Sequence, residues 1–252
     1  SRLQVLLGPQ GVEQLRGWQA DGWGPELLKS PLQLRRYADR GEFWDAWDLA
    51  ANYQNQPLPF SWSSGPEVLE SGPLCTALRW RGHCGQSPIQ LMLRLQAGSE
   101  VLELCLQSQW QQHHELLRLE LPLAQATDFW SADCPAGVQN RASNPRNARE
   151  AARWEAAAIS WVAGHGLAVL LDGPQGVSGT ADGLGVSLLR GPTWPDPSAD
   201  HGLHRLRLGL MATPGGWWQQ GVPAAAASFR NPLWKRPAAD QGAIKEQSRG
   251  NQ

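Results

Sequence analysis

The 252-residue chain contains very little lysine. Only Lys29, Lys235 and Lys245 are present, so nearly all of the positive charge is arginine. The 22 basic and 23 acidic residues give a formal net charge of -1, which supplies no overall attraction to nucleic acid or to an anionic membrane surface. We therefore expect neither a nucleic acid nor a membrane as a partner.

The chain also lacks paired cysteines and long apolar segments. Its four cysteines form no C-x-x-C motif, and a chain of this length needs no disulfide staples, so we expect reduced thiols in a cytoplasmic protein. No apolar run approaches the ~20 residues of a membrane span, and no signal peptide is visible. Because the chain starts at Ser1 rather than at methionine, we expect upstream sequence, with any targeting signal, to be missing.

Familiar catalytic and metal-binding motifs are missing as well. There is no G-x-S-x-G nucleophile elbow and no Walker loop. The H-H-E sequence at 113–115 lacks the i, i+4 histidine spacing of a zincin helix, and a strand would direct neighbouring side chains to opposite faces. Asp200, His201 and His204 also suggest a metal site, but hydrogen bonds that stabilise a loop are the preferred interpretation. We predict no metal site and no cofactor in this chain.

Apolar residues that alternate with polar ones dominate the remaining sequence, and this period of two is typical of half-buried strands. Residues 75–81, 89–95, 101–110 and 116–123 show it, separated by short gaps that contain glycine or serine. Such gaps indicate antiparallel hairpins, each strand having one wet and one buried face. The pattern predicts an all-β chain whose hairpins stack as two sheets around one core.

The segment SLLRGPTWPDPSADHGLHRLRLGL, residues 187–210, is the most informative stretch. Alternating leucines at both ends predict two strands. Between them Pro192, Pro195 and Pro197 cannot donate backbone hydrogen bonds to a sheet, so the connection is predicted to be a surface loop.

This loop resembles the signature LLR-x-P-T-x-P-D-P-x-A-D-x-G-x-H in the C-terminal β-region of family 38 glycoside hydrolases, the zinc-dependent α-mannosidases. Residues 42–53, EFWDAWDLAANY, resemble the family's W-D-A-W-D-I box, and residues 106–123 and 166–176 resemble further family segments. Residues 150–158 have the composition of a short helix, but their resemblance to the family's R-F-E-V-P segment favours a strand. The resemblance runs from about residue 40 to residue 234.

The resemblance implies a large antiparallel β-sandwich of the galactose mutarotase-like (supersandwich) type over residues 1–234. Residues 235–252 are polar and predicted to be a disordered tail. The family's catalytic carboxylates and zinc belong to an N-terminal barrel domain that this sequence does not contain. The resemblance thus implies the C-terminal domain of an enzyme that hydrolyses terminal α-mannosides, with the barrel and a mannoside or other glycan as partners. The isolated chain is expected to be inactive.

A stand-alone carbohydrate-binding or scaffolding β-sandwich remains the alternative. Five residues are candidates for substrate binding: Asp45, Asp48, Arg141, Trp217 and Trp218. The two aspartates would share one face of a helical turn, although turn capping is the preferred role for both. Arg141 is expected either to contact a sugar or an acidic residue, or to be an ordinary surface arginine. The tryptophan pair follows two glycines in an apparent loop and is expected to be exposed, as in sites that stack sugar rings.

Overall fold

The computed structural model of the protein describes residues 2–231. Its eighteen strands, in chain order, are β1 (Leu3–Gly8), β2 (Gly11–Gln19), β3 (Gly22–Glu26), β4 (Gln33–Ala38), β5 (Pro57–Leu58), β6 (Trp62–Ser71), β7 (Cys75–Cys84), β8 (Ser87–Gln96), β9 (Val101–Trp110), β10 (Glu115–Pro122), β11 (Phe129–Cys134), β12 (Gly137–Ala142), β13 (Ala156–Ala158), β14 (Trp161–Ala163), β15 (Gly166–Leu171), β16 (Gln175–Thr180), β17 (Gly183–Leu189) and β18 (Gly202–Thr213). The described residues also form two α-helices, α1 (Ala148–Ala151) and α2 (Val222–Arg230), and one 3-10 turn, Tyr53–Asn55. The tail predicted at 235–252 lies outside the described residues.

The strands form three antiparallel sheets. A six-stranded sheet has the order β13-β16-β17-β10-β4-β5, a nine-stranded sheet the order β12-β11-β14-β15-β18-β9-β8-β7-β6, and β1-β2-β3 form a small third sheet. One large apolar cluster contains leucines of β10 and β17 from the first sheet together with those of β8, β9, β15 and β18 from the second. The predicted all-β, large antiparallel sandwich is therefore confirmed.

The outer face of β10 differs from the prediction. Its inward leucines join the main core, but Arg118, on the face that alternation assigns to water, is 0% exposed. The 3-10 turn and the segment before β13 cover this face. The Arg118 guanidinium lies 5.3 Å from the ring centroid of Tyr53 and donates a hydrogen bond of 3.0 Å to Glu155. The assignment of a wet face was wrong because distant segments bury it.

Helix α2 packs on the outer face of the nine-stranded sheet. Val222 and Ala226 of the helix form a second apolar cluster with Trp161, Leu170 and other residues of β14, β15 and β18. Among residues 2–231, no helix combines the length and the apolar character needed to span a membrane.

Residues 150–158 contain both of the structures considered for them. Helix α1 begins after Asn147, whose side chain accepts a hydrogen bond of 2.9 Å from the backbone N–H of Glu150, an ordinary N-cap. The chain then turns and enters β13, which pairs with β16. An alanine-rich segment can form either a helix or a strand, and here pairing with β16 decides where the strand begins.

Candidate functional site

Three connections meet at one end of the sandwich. Residues 111–114 cross from β9 to β10, and residues 190–201 cross back from β17 to β18, so both pass between the two large sheets. Residues 39–52 follow β4 beside them. The backbone N–H of His114 donates a hydrogen bond of 2.7 Å to the carbonyl of Gly191, and the N–H of Asp39 donates one of 2.7 Å to the carbonyl of His114. The motif-bearing loops are thereby joined.

Asp45 links two of these loops through its side chain. One carboxylate oxygen, Oδ2, accepts hydrogen bonds from the backbone N–H groups of Thr193 (2.7 Å) and Trp194 (3.1 Å) and from the Thr193 hydroxyl (3.2 Å). The Nδ1 atom of His114 lies 3.3 Å from Oδ1. Burial opposes ionisation, but the backbone donors, His114 and the Thr193 hydroxyl together hold the pKa of Asp45 below its ordinary value. Asp45 is therefore a carboxylate that binds one loop to another.

Arg190 holds the same loop from its other side. Its guanidinium donates to the Asp39 carboxylate and to the backbone carbonyls of Asp45 (3.1 Å), Ala46 (3.1 Å) and Asp48 (2.7 Å). Five rigid donors in one plane suit this clamp on several carbonyl oxygens.

The clamped loops expose three indoles, Trp44, Trp47 and Trp194, which we call the aromatic face. Their exposed fractions are 58%, 67% and 53%. The ring centroids are 6.5 Å apart for Trp44 and Trp47, 6.3 Å for Trp44 and Trp194, and 5.6 Å for Trp47 and Trp194. Clustered exposed aromatics are uncommon on proteins that have no partner and mark binding surfaces.

A groove of about 670 Å³ runs beside the aromatic face, lined among others by Trp47, Arg190, Asp200 and His204. His204 Nε2 lies 2.7 Å from the backbone carbonyl of Asp200, so these two residues stabilise the loop. Within residues 2–231 there is no group of three or more His, Cys, Asp or Glu side chains able to hold a metal ion.

The two loops that build the aromatic face carry the segments resembling family 38, and comparison with known families agrees. The model of the "Glycosyl hydrolases family 38 C-terminal domain" matches residues 18–198. The chain belongs to this family. The match includes the whole aromatic face and ends inside the connection between β17 and β18.

Similar proteins place the family 38 domain within longer chains. The chain is 28% identical to human "Alpha-mannosidase 2C1" over 202 residues, which are 78% of this chain but 19% of that protein. It is 23% identical to "Alpha-mannosidase G" of Dictyostelium discoideum over 198 residues. The chain thus spans about a fifth of the length of these relatives.

Solved structures show the same fold. A family 38 glycosyl hydrolase from Enterococcus faecalis superimposes with a TM-score of 0.67 at 14% identity, covering 92% of this chain and 32% of that one. An α-mannosidase from Enterococcus faecalis V583 gives a TM-score of 0.65 at 15% identity, covering 90% and 30%.

The five candidate residues do not form a single site. Asp48 lies in the same loop as Asp45 and accepts hydrogen bonds from the backbone N–H groups of Glu42 (3.1 Å) and Phe43 (3.2 Å). Arg141 lines a separate cavity of about 380 Å³ on the β11–β12 hairpin. Trp217 and Trp218 lie before α2.

The tryptophan pair is only half exposed. Trp218 is 70% exposed, but Trp217 packs against Trp161 with ring centroids 4.9 Å apart. Trp217 also lines a cavity of about 540 Å³ together with Thr213. The Thr213 hydroxyl is buried and has no hydrogen-bond partner in the described part of the chain.

Sequence reasoning missed Arg190, Thr193 and the aromatic face. All of these residues lie in the two segments that resemble the family most closely. The signal that would have found the face is the pair Trp44 and Trp47, three residues apart in a tight turn in which the Asp48 N–H donates to the Trp44 carbonyl at 2.8 Å.

Proposed function

We propose that this chain is the β-domain of an α-mannosidase-like glycoside hydrolase, and that its aromatic face packs against the catalytic barrel domain of that enzyme. The proposal depends on one observation. Hydrogen bonds of Asp45 and Arg190 join the two loops that resemble the family, and the joined loops leave three adjacent indoles exposed. Tryptophan and arginine are the residues that most often dominate binding at protein interfaces.

We favour the catalytic domain as the partner of the aromatic face because the relatives are much longer than this chain. They are about five times longer than the part they share with this chain, and the matching family model is that of a C-terminal domain. A net charge of -1 offers no electrostatic alternative such as a nucleic acid. Docked in this way, the aromatic face and the adjacent groove would border a mannoside held by the barrel.

We propose that the zinc ion expected for this family is held outside the described residues of this chain. Zinc sites need three or four His, Cys, Asp or Glu ligands with convergent geometry, and residues 2–231 contain no such group. We therefore assign no metal-dependent step to this domain. Hydrolysis of α-mannosides would use a zinc ion and paired carboxylates of the barrel.

We place the protein in the cytoplasm. All four cysteines are free thiols, Cys84 is buried, and burial raises its pKa to about 12. Unpaired cysteines are the usual state in a reducing compartment.

Turnover by the isolated chain is the first test. The purified 252-residue chain is expected not to hydrolyse an aryl α-mannoside, with or without added zinc. Zinc-dependent turnover by this chain would contradict the assignment of catalysis to another domain.

Docking is tested in the polypeptide encoded together with this chain. The coding sequence upstream of Ser1 is expected to encode a barrel with zinc-ligand histidines and aspartates.

Variants of that longer protein test the contact. Trp44→Ser, Trp47→Ser and Trp194→Ser should each lower its α-mannosidase activity. Backbone amide hydrogens of residues 42–48 and 190–196 should exchange with solvent more slowly than in the isolated chain. Trp18→Ser is the matched control, since Trp18 is 49% exposed and lies on β2. Equal exchange in both proteins would contradict docking.

A stand-alone carbohydrate-binding module is the second candidate. It is favoured by the 540 Å³ cavity, where Trp217 supplies a stacking surface and the Thr213 hydroxyl, unpaired within residues 2–231, supplies a hydrogen-bonding group. Calorimetry with mannose and mannobiose separates the two proposals: binding that is lost in Trp217→Ala and kept in Trp194→Ala favours a binding module.

A further inference from the structure

The cavity that contains Arg141 has an unusual set of polar atoms. It measures about 380 Å³ and lies between the β11–β12 hairpin, helix α1 and the 3-10 turn. The Nε of Arg141 and the hydroxyl of Ser143 are buried without a hydrogen-bond partner in the described residues. Ser143 is only 5% exposed. Leaving a buried polar group without a partner lowers the free energy of unfolding by about 1–3 kcal/mol. A ligand that accepts hydrogen bonds from both atoms would remove this penalty.

The unpaired atoms can both donate a hydrogen bond, which defines the chemistry of that ligand. An arginine Nε donates only, and a serine hydroxyl can rotate to donate to any acceptor within hydrogen-bond distance. Two neighbouring side chains already accept one hydrogen bond each: Gln139 accepts a bond of 2.7 Å from Arg141, and Asn140 accepts one of 2.7 Å from Ser131. A ligand with oxygen acceptors would complement both unpaired donors.

The charge of the cavity indicates an anion. Three arginines, Arg141, Arg146 and Arg153, and one acid, Glu150, line it, a formal balance of +2. Glu150 already accepts a hydrogen bond of 2.8 Å from the Arg146 backbone. In the described part of the chain neither Arg141 nor Arg153 forms an ion pair. Burial, and then the charge of Arg153, lower the pKa of Arg141, and a bound anion would favour its charged form.

The cavity also has aromatic walls. The Arg141 guanidinium lies over Trp130, 5.7 Å from the ring centroid, within the range of a cation–π contact. Trp154, 38% exposed, lines the mouth and is held by a hydrogen bond of 3.2 Å from its indole N–H to the Leu49 carbonyl. Its faces remain available to an apolar or sugar group.

We propose that this cavity binds a phosphate dianion, with Arg141, Arg153 and Ser143 donating to its oxygens. A dianion matches the formal charge of +2, and guanidinium groups are well suited to tetrahedral oxyanions. The phosphate belongs either to a sugar phosphate, with the sugar against Trp154, or to free inorganic phosphate. The site stands independently of the proposed docking of the aromatic face.

Isothermal titration of the full chain at constant ionic strength tests the site with four probes: inorganic phosphate, glucose 6-phosphate, glucose and glucuronate. Both phosphates are expected to bind and glucose is not. If glucose 6-phosphate binds more tightly than inorganic phosphate, and Trp154→Ala abolishes this difference in affinity, the ligand is a sugar phosphate. Equal affinity for the two identifies free phosphate as the ligand. Stronger binding of glucuronate than of either phosphate would overturn the proposal.

Three variants locate the binding. Arg141→Gln and Arg153→Gln should each weaken phosphate by about tenfold to a hundredfold, the range for a charge-assisted hydrogen bond. Ser143→Ala should fold at least as stably as the parent while binding phosphate more weakly. A fourth variant, Arg205→Gln, is the control: it changes net charge equally but lies on β18, outside the cavity, and should bind as the parent chain does. Equal affinity in all four variants would show that phosphate binds elsewhere and would refute the site.

Discussion

The carboxylate of Asp45 accepts a hydrogen bond of 2.7 Å from the backbone N–H of Thr193, which lies 148 positions further along the chain. This bond joins the loop after β4 to the loop that crosses from β17 to β18. Because Trp44 and Trp47 flank Asp45, and Trp194 follows Thr193, the same bond assembles the aromatic face. A carboxylate that is a candidate for substrate binding on sequence grounds thus positions a surface.

Replacing Asp45 should destabilise the protein measurably. Asp45→Ala leaves two backbone N–H groups and the Thr193 hydroxyl without their acceptor, and we expect a loss of about 1–3 kcal/mol in the free energy of unfolding. The measurement is urea unfolding followed by tryptophan fluorescence. Asp182→Ala, at a side chain that is 76% exposed, is the control and should change the free energy by less than about 0.5 kcal/mol. Identical midpoints for the two variants would contradict the anchoring role.

The same carboxylate should make stability depend on pH. The folded-state pKa of Asp45 lies below its ordinary value of 3.8, so its contribution is fully present above pH 3.8 and is lost as the pH falls through the lower folded-state value. The free-energy difference between parent and Asp45→Ala should therefore be constant near neutrality and shrink in acid. A difference that grows in acid would contradict this sign.

Gly191 should not tolerate a side chain. A Cβ atom built there would lie 1.9 Å from the backbone oxygen of Gln112, and backbone cannot move aside as a flexible side chain can. Gly191→Ala is expected to cost about 1–3 kcal/mol or more and to alter the fluorescence of the aromatic face. Gly173→Ala is the control and should be neutral or slightly stabilising, because, apart from its chain neighbours, no other described residue has an atom within 4 Å of the added Cβ. Equal thermal midpoints would contradict the close packing of these loops.

Arg118 should be among the most sensitive positions of the chain. It donates to Glu120 (2.9 Å), Glu155 (3.0 Å), Ser178 (2.6 Å) and Ser187. Its removal takes this cation away from two carboxylates whose side chains are only 21% and 16% exposed. Arg118→Met is expected to cost about 3–5 kcal/mol, as for other broken buried pairs. Arg205→Met, at an exposed position of β18, is the control.

A double-mutant cycle identifies the charge network as the cause of the Arg118 effect. Combining Arg118→Met with Glu155→Gln should cost less than the sum of the single changes, with a coupling of about 0.5–3 kcal/mol. Strict additivity would show that packing, and not charge, gives Arg118 its importance.

Much of the architecture was predictable from local patterns. The strands β7 to β10 fall within a few residues of the runs predicted from alternating leucines. The three prolines at 192, 195 and 197 lie, as predicted, in a connection without strands. These features follow from the period of two and from the missing proline donor, and both are properties of a few consecutive residues.

The sequence by itself therefore determined the all-β class, the strands and loops, and, through motif resemblance, membership of family 38. Only the tertiary structure decided that Arg118 is buried, that Asp45 binds Thr193, and that Arg141 and Ser143 share a cavity. The physical reason is that alternation assigns a side chain to a face of its own strand but does not say what covers that face. Sheet order and crossing loops bring distant residues together, and these long-range contacts decide which polar groups are paired, exposed or left in need of a ligand.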